Sequence, residues 1–273
     1  MDGLLVPVAA FSFFLFLLPS QRNQYWAIVG WAGMTLNLLF ELPSYLAENN
    51  FVYPALGVLS VPFLIATAQL LVRRDPAVMT LSRAAAIAFC LYAPFAYIEP
   101  LGQWLISVVV VLLMGILNII GFPAELVAWN MVMHNGFRVE IILACTGIQS
   151  IAIMLGVAGA VPTTVRQKSL AVLLIVPVIF GLNIFRNAFV IMGYTGQWFP
   201  YFPQIASNGE FGYESFFWAH NVICELLALV ILVGIAYGLF VLIPQLGAFA
   251  DDLITSYRDE LKKAAGRGTR SAE

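Results

Sequence analysis

Three polar side chains in an otherwise apolar chain are of types suited to chemistry: Cys145, Arg186 and His220. Cys145 lies in ACTGIQS, Arg186 in GLNIFRNAFVIMGY and His220 in YESFFWAHNVICELLAL. A thiolate attacks a peptide carbonyl, an imidazole shuttles protons, and a guanidinium holds the developing oxyanion or the substrate backbone. As a set, the three residues indicate acyl transfer through a cysteine nucleophile.

Each of the three also has a plainer interpretation when it is taken alone. A small thiol in an apolar segment is usually a packing residue, because its reactivity depends on an electropositive, partly exposed setting. An arginine near a helix end snorkels to the membrane surface, and a histidine at that surface is usually part of an aromatic belt. Cys145 differs from a packing thiol in lying at a helix start, where unpaired N–H groups and the helix dipole favour a thiolate.

Polar residues surround the candidate cysteine. Gly147 permits close backbone approach, and Thr146, Gln149 and Ser150 supply hydrogen-bonding groups. These residues are expected to support substrate binding next to Cys145.

Two asparagines accompany the arginine. Asn183 precedes Arg186 by three residues and Asn187 by four, which places all three side chains on one helix face. An amide that faced lipid would be unfavourable, so this face is expected to line a wet cavity or to contact another polar helix.

The composition is that of an integral membrane protein. Of 273 residues, 61% are hydrophobic and 10% are charged, whereas a water-soluble domain carries about 25% charged residues. The formal net charge of -2 offers no basic face for a nucleic acid.

The three cysteines do not form a recognisable framework. Cys90, Cys145 and Cys224 lie in separate apolar segments without a C-x-x-C pair, which argues against disulfides and a sulfur-rich zinc site. Cys224 follows His220 by one helical turn, but two ligands without a third are a weak metal signal. No metal and no cofactor are expected.

The hydrophobic pattern predicts an all-α bundle of about eight transmembrane helices, because a helix needs about 20 mostly apolar residues to cross the bilayer. The N-terminal stretch is read as a retained first span because it lacks a basic n-region and a convincing cleavage site. Two full crossings between Arg83 and Gly121 would return the segment before Cys145 to the cytoplasmic side, so either 84–98 or 101–121 fails to cross, or one basic loop is misassigned. The segment 84–98 is the first candidate, because it is short and broken by Pro94, with Pro100 following, and it is expected to be re-entrant or strongly tilted. The predicted spans are 4–19, 25–41, 54–72, 84–98, 101–121, 145–161, 168–193 and 216–243.

A small extracytoplasmic hairpin is predicted just before Cys145. Residues 122–144 contain the turn signal His134-Asn135-Gly136 between two mixed stretches, and FRVEII alternates with period two. The hairpin would feed directly into the helix that begins at Cys145.

Basic residues predict the sides of the membrane, since lysine and arginine mark cytoplasmic loops. The loops 42–53 and 194–215 contain neither and are placed outside, which puts Cys145, the nearby end of the Arg186 helix and the start of the His220 helix on the outer side. The chain then divides into a multi-span domain, 1–247, and a basic cytoplasmic tail, 248–273. The basic groups placed inside are Arg73, Arg74 and Arg83 in one loop, Arg166 and Lys168 in another, and Arg258, Lys262, Lys263, Arg267 and Arg270 in the tail.

The ordered motifs A-C-T-G-I, then L-N-x-x-R-N about forty residues on, then a histidine opening the final span, resemble the exosortase/archaeosortase family of membrane transpeptidases. The resemblance extends to QWLISVVVVLLMGILNIIGF, to the Gln197-Trp198-Phe199 loop and to SFFWAHNVICELLALVILVGIAYGLFVLIPQL. It is strong from about Arg83 to Leu246 and weaker over the first three spans.

The resemblance implies a sortase-like reaction on an unrelated fold. Its substrates would be secreted proteins, such as surface-layer glycoproteins, with a C-terminal tail of a Pro-Gly-Phe-type motif, a hydrophobic helix and a basic cluster. The enzyme would cleave near the motif and pass the new C-terminus to a membrane lipid. The family cysteine corresponds to Cys145 and its arginine to Arg186. The third position corresponds to His220, where some archaeal members have arginine, so an acid/base and a substrate-orienting role are both open.

Two other functions compete with this interpretation. A transporter or channel would use a polar path through Gln149, Asn183 and Arg186, although the sequence has no clear internal repeat and no matched broken helices. A membrane endopeptidase would hydrolyse the same tails without lipid transfer, since water and an acceptor meet the same acyl-enzyme.

Overall fold

The computed structural model describes residues 4–47 and 52–270. Most of this part of the chain is helical, because long apolar segments satisfy their backbone groups internally. The helices are α1 Leu5–Leu17, α2 Asn23–Phe40, α3 Leu42–Ala47, α4 Val52–Val72, α5 Pro76–Tyr97, α6 Glu99–Ile120, α7 Ile148–Ala160, α8 Val165–Thr195, α9 Pro203–Ala206, α10 Tyr213–Phe216, α11 Glu225–Leu242 and α12 Gln245–Arg270.

Five helical segments of the described residues are long and apolar enough to cross a membrane. Both α1 and α7 are apolar but have 13 residues, which gives them a length of about 20 Å against a hydrocarbon core of about 30 Å. The predicted class of helical membrane protein is confirmed at this level, and the total of about eight crossings stays a prediction. The five segments are Pro54–Val72, Pro76–Tyr97, Glu99–Ile120, Val165–Thr195 and Tyr213–Leu242.

The prediction that the helix over 84–98 is too short to cross a membrane was wrong, because the helix begins before residue 84. α5 begins at Pro76 and runs without a break through Pro94 to Tyr97, so it is 22 residues long. Pro100 does not interrupt a helix either, because it lies in the first turn of α6, where its missing N–H costs little.

Several residues that were assigned to loops are helical. Arg83 lies inside α5, where its Nη1 donates a hydrogen bond to the carbonyl of Ala160 (3.4 Å), and Arg166 and Lys168 lie in the first turn of α8. In the predicted outer loop 42–53, residues 42–47 form α3, and 48–51 lie outside the described residues. The side of the membrane on which each loop lies stays a prediction.

The chain forms two compact units. The first comprises residues up to 91, 155–168 and from 239 onward, and the second comprises 92–154 and 169–238. The core of the first unit is apolar and consists of Phe13, Phe16, Ala27, Leu70, Leu71, Val78 and Ala86.

Within the first unit, α12 packs on the turn between α4 and α5 through polar contacts. Asp75 caps α5, since its Oδ1 accepts from the backbone N–H of Ala77 (3.0 Å), and its Oδ2 accepts from the Ser256 hydroxyl (2.9 Å). Glu260 is only 3% exposed and forms an ion pair with Arg73 at 2.5 Å. From 248 to 270, the segment predicted as a basic tail is therefore part of α12, which packs within this unit.

The second unit is built on α6 and α8. Val109, Leu113 and Leu117 follow one another at four-residue spacing, so they share a face of α6 and pack with Ile184 and Ile191 of α8. Val132, Ile141 and Ala188 complete this buried cluster, and Cys145 packs against it.

A three-stranded antiparallel sheet stands between α6 and α7 in the sequence. Its strands are β1 Glu125–Ala128, β2 Met131–His134 and β3 Phe137–Glu140, in that order. His134 pairs with Phe137, which leaves Asn135 (φ +51°) and Gly136 (φ +82°) as a two-residue turn of the type that favours Asn-Gly. The turn lies where the sequence indicated one, while β1 was not foreseen.

The Arg73–Glu260 pair provides a test of how α12 is held. Glu260→Ala removes a buried carboxylate and leaves Arg73, which is 43% exposed, without its partner. We expect a loss of about 1–3 kcal/mol of unfolding free energy, measured as a lower melting temperature in detergent. Asp259→Ala is the matched control: its carboxylate is 52% exposed and contacts Arg258 only at 3.7 Å, so its effect should stay within about 0.5 kcal/mol. Equal effects would contradict a structural role for the buried pair.

Candidate active site

Cys145 lies in a short 3-10 turn that connects the sheet to α7. After β3, Ile141 is fixed by Asn130, which accepts from its N–H (2.8 Å) and donates to its carbonyl (3.1 Å). The turn spans Leu143–Thr146, and the Thr146 hydroxyl donates to the carbonyl of Leu143 (2.7 Å). Cys145 is therefore held three residues before the first residue of α7.

The carbonyl oxygen of Cys145 accepts two hydrogen bonds from α8. Asn183 Nδ2 donates at 2.6 Å and Asn187 Nδ2 at 2.7 Å, so both lone pairs of one carbonyl are used. Asn187 is 4% exposed and Asn183 is half-buried. The two asparagines, which the sequence predicted to share a helix face, both bind the backbone of the candidate nucleophile.

Gly147 allows this close approach. It ends the 3-10 turn with φ +77°, in the left-handed region that favours glycine. A Cβ at this position would lie 3.3 Å from both Cβ and Cγ of Asn183. The absence of a side chain therefore lets Asn183 reach the Cys145 carbonyl without being displaced.

Arg186 lies between the two asparagines in sequence and binds the histidine. Its Nη2 is 3.0 Å from Nε2 of His220, and Nδ1 of His220 is 2.7 Å from Oδ1 of Asn221. A guanidinium is a donor only, so Nε2 accepts, and Nδ1 carries the proton and donates to Asn221. In this arrangement His220 is a neutral imidazole.

The histidine stands on an unusual helical segment. Phe217–Cys224 is a π-helix between α10 and α11, a conformation often found at functional sites. The ring of Phe216 stacks on His220 with a centroid distance of 4.9 Å and an interplanar angle of 14°. The stack fixes the plane of the imidazole, and the two hydrogen bonds fix its rotation within that plane.

A cavity of about 440 Å³ opens between α7, α8 and α11 within the second unit. Its polar lining comes from Gly147, Gln149, Ser150, Asn183 and Arg186, together with Glu225. The remaining wall is mainly apolar and includes Ile179, Leu182, Phe185, Phe189, Ile223, Leu227, Ile231 and Leu232. An amphipathic or extended apolar ligand with a polar group at the Arg186 end fits this distribution.

The structure joins the predicted site residues in two contacting groups. Cys145 is bound to Asn183 and Asn187, and Arg186 is bound to His220, with α8 contributing to both groups. All five of these residues lie in the second unit.

The other predicted residues have more limited contacts. Gln149 is exposed, lines the cavity and donates to the Tyr92 hydroxyl at 3.4 Å. Thr146 is fully buried and its hydroxyl closes the 3-10 turn, so it supports the backbone instead of facing the cavity. Across the described ranges, no cluster of three or more His, Cys, Asp or Glu is arranged to hold a metal ion.

Sequence reasoning missed Phe216, Asn221 and Glu225. Phe216 precedes His220 by one helical turn and Asn221 follows it directly, so the segment FFWAHN contained the signal for both contacts. Glu225 is an ionisable residue inside an apolar span, which is itself a sign of function.

These features define a helical membrane protein in which the backbone of a cysteine is hydrogen-bonded to an arginine-bearing helix beside an amphipathic cavity. A family model described as transmembrane exosortase matches residues 1–201, a range that includes Cys145 and Arg186 and ends before His220. The chain belongs to this transmembrane exosortase family.

Relatives of known name are consistent with this assignment. Archaeosortase A of Haloferax volcanii is 25% identical over 249 residues, covering 82% of this chain and 82% of the relative. Archaeosortase A of Natronomonas pharaonis is 28% identical over 226 residues, covering 76% of this chain and 72% of the relative. No solved structure matches the chain.

The fit between Gly147 and Asn183 yields a test with a matched control. Gly147→Ala forces a side chain into the left-handed region and against Asn183, while Gly136→Ala imposes the same backbone strain at φ +82° with nothing within 4 Å. We expect a loss of about 1 kcal/mol for Gly136→Ala and about 2–3 kcal/mol for Gly147→Ala, measured by thermal unfolding. Only Gly147→Ala should also alter the rate at which a small alkylating reagent modifies Cys145. Equal losses and unchanged alkylation would show that the close contact has no consequence.

Proposed function

We propose that this protein is a membrane cysteine transpeptidase that processes secreted proteins at a C-terminal sorting signal. The observation that carries the proposal is the double hydrogen bond from α8 to the Cys145 carbonyl, because the same helix presents Arg186 to the cavity beside Cys145. Membership of the exosortase family supports the same chemistry.

The reaction would proceed through a thioester. The Cys145 thiolate attacks the carbonyl carbon of the scissile peptide bond, and the resulting oxyanion is stabilised by N–H groups of Arg186. Collapse of the tetrahedral intermediate breaks the C–N bond, the departing amine takes up the proton that the Cys145 thiol released on ionising, and the thioester of Cys145 remains. A nucleophile on the acceptor then attacks the thioester carbonyl, the new bond to the acyl carbon forms as the C–S bond breaks, and the proton of the acceptor restores the thiol.

The substrate would be a secreted protein with a Pro-Gly-Phe-type motif, a hydrophobic helix and a basic cluster at its C-terminus, such as a surface-layer glycoprotein. The mainly apolar wall of the cavity along α8 and α11 supports an apolar ligand such as the hydrophobic helix of this signal. The acceptor would be a membrane lipid, so that the product is anchored through its new C-terminus. We place the active site on the extracytoplasmic side and the C-terminus in the cytoplasm, because residues 194–215, from the end of α8 into α10, include no lysine or arginine.

Replacement of the nucleophile is the direct test. Cys145→Ala should leave the protein folded and make precursors with an intact C-terminal tail accumulate, with turnover reduced by a factor of about 10³ or more. Accumulation is measured by mass spectrometry or immunoblotting of a reporter precursor that carries the tripartite tail. Cys90→Ala, at a cysteine of the first unit, is the control and should process the reporter normally. Normal processing by Cys145→Ala would refute the mechanism.

The mass of the mature C-terminus separates transfer from hydrolysis. A C-terminus that carries a lipid supports transpeptidation, whereas a free carboxylate in native cells would show that the enzyme is an endopeptidase.

Arg186 should be nearly as important as Cys145. Arg186→Ala removes the charge that stabilises the oxyanion, so we expect turnover of the reporter to fall by about 10²-fold or more with a normal melting temperature. Arg138→Ala, at an exposed arginine of β3, serves as the control for loss of a positive charge and should retain activity. Retained activity in Arg186→Ala would exclude the oxyanion role.

A further inference from the structure

We infer that His220 is a positioning residue for Arg186 and does not act as the general base for Cys145, and that Asn221 and Phe216 hold it in that role. The inference rests on the proposed function, because it assigns parts of the same site.

The hydrogen-bond chain determines the tautomer. Arg186 Nη2 has protons only, so Nε2 of His220 must supply the lone pair across the 3.0 Å contact. The imidazole proton is then on Nδ1, where Asn221 Oδ1 accepts it at 2.7 Å. Asn221 thus selects the tautomer that can accept from the guanidinium, as the partner of the other nitrogen generally does for histidine.

This tautomer leaves no basic site for the thiol proton. A neutral imidazole has one in-plane lone pair, and here it points at Arg186. A proton from Cys145 could reach Nε2 only after the Arg186 contact is broken, and the resulting imidazolium would face a guanidinium. Like charges in contact are unfavourable, most of all in a partly apolar site.

The same contact orients the guanidinium. Arg186 is half-buried, and its guanidinium is carried on a long flexible side chain. The hydrogen bond from Nη2 to His220 fixes one corner of this rigid planar group, which has five N–H donors. The ring of Phe216 stacks on the imidazole of His220 and so fixes the plane of the ring that accepts this hydrogen bond. Arg186 also lines the cavity, so its remaining N–H groups are the donors for the oxyanion site, which needs donors that do not reorganise during the reaction.

Two substitutions at position 220 separate the roles. His220→Gln keeps a hydrogen-bond acceptor for Arg186 and abolishes acid/base chemistry, while His220→Phe keeps a ring on Phe216 and abolishes the acceptor. Positioning predicts that His220→Gln stays within about tenfold of native turnover and that His220→Phe falls by about 10²-fold. A general base predicts that both fall by about 10²–10⁴-fold. A folded His220→Gln protein with a loss of 10²-fold or more would overturn the inference.

The reactivity of Cys145 gives a second readout that needs no substrate. In a protein with Cys90→Ser and Cys224→Ser, iodoacetamide should alkylate Cys145 at rates that differ by less than about threefold between His220 and His220→Gln. A slowing of tenfold or more would identify His220 as the base for the thiol and overturn the inference.

Asn221 gives a test that does not alter the histidine. Asn221→Leu removes the acceptor that holds the proton of His220 on Nδ1, and it should lower turnover by about tenfold. Asn221→Asp keeps an acceptor for Nδ1, and its turnover should stay within about threefold of native. In the His220→Gln background, Asn221→Leu should cost less than about twofold, because glutamine has no tautomer to select. An equal cost in both backgrounds, or no cost in either, would overturn the inference.

Failure of the inference is distinct from failure of the proposed function. Processing of the reporter by Cys145→Ala refutes the function itself. If Cys145→Ala blocks processing and His220→Gln behaves like His220→Phe, the transpeptidase stands and His220 is its acid/base.

Discussion

The carbonyl oxygen of Cys145 accepts two amide hydrogen bonds from a single helix, and the arrangement of the site depends on this junction. The cysteine itself belongs to a short 3-10 turn, an element that has little stability of its own. Asn183 and Asn187 attach that turn to α8, a helix of 31 residues. Because Arg186 lies on the same helix, one element sets the position of both the thiol and the guanidinium.

The environment makes this attachment costly to lose. A backbone carbonyl that is withdrawn from water without a donor destabilises the fold by several times the net value of the hydrogen bond. The sequence meets this demand with two amides at four-residue spacing and with a glycine where any side chain would displace one of them. Asn183 and Asn187 of α8 are thus required by the backbone of the 3-10 turn. The hydrogen bonds to the Cys145 carbonyl offset the free-energy cost of placing two amides in an apolar helix.

The charge of Arg186 is the second consequence of this design. Its hydrogen-bond partner is a neutral imidazole, and among the described residues no carboxylate forms a salt bridge with it. Glu225 lines the same cavity but forms no salt bridge with Arg186, so the guanidinium lies beside an apolar wall without a carboxylate in direct contact. In surroundings of lower polarity than water, such a charge interacts more strongly with a developing oxyanion than it would at an open surface.

Local sequence patterns predicted the parts of the molecule that depend on local forces. Spacing alone placed Asn183, Arg186 and Asn187 on one face, and Asn135-Gly136 marked a turn, because both are set within a few residues of chain. β1 escaped notice because its four residues are exposed and carry no alternation, so its pairing with β2 is decided by tertiary contacts.

Arg83 and Asn221 show why the rest could not be read from the sequence. Counting charges treats an arginine as a mark of a loop, but Arg83 remains within a helix and donates to a carbonyl at the end of α7. Asn221 was unremarkable in sequence because its role depends on the rotation of the neighbouring ring. That rotation follows from the π-helix, which a hydrophobic pattern does not distinguish from an α-helix.

The π-helix also makes the number of residues between 217 and 224 a structural requirement. Its hydrogen bonds close over five residues, where an α-helix closes over four. Loss of one residue between 217 and 224 would let the segment return to α-helical hydrogen bonding and would change which side chains of the segment face Arg186. Among homologous chains, alignment gaps in this segment would thus matter as much as the identity of the residue that occupies the histidine position.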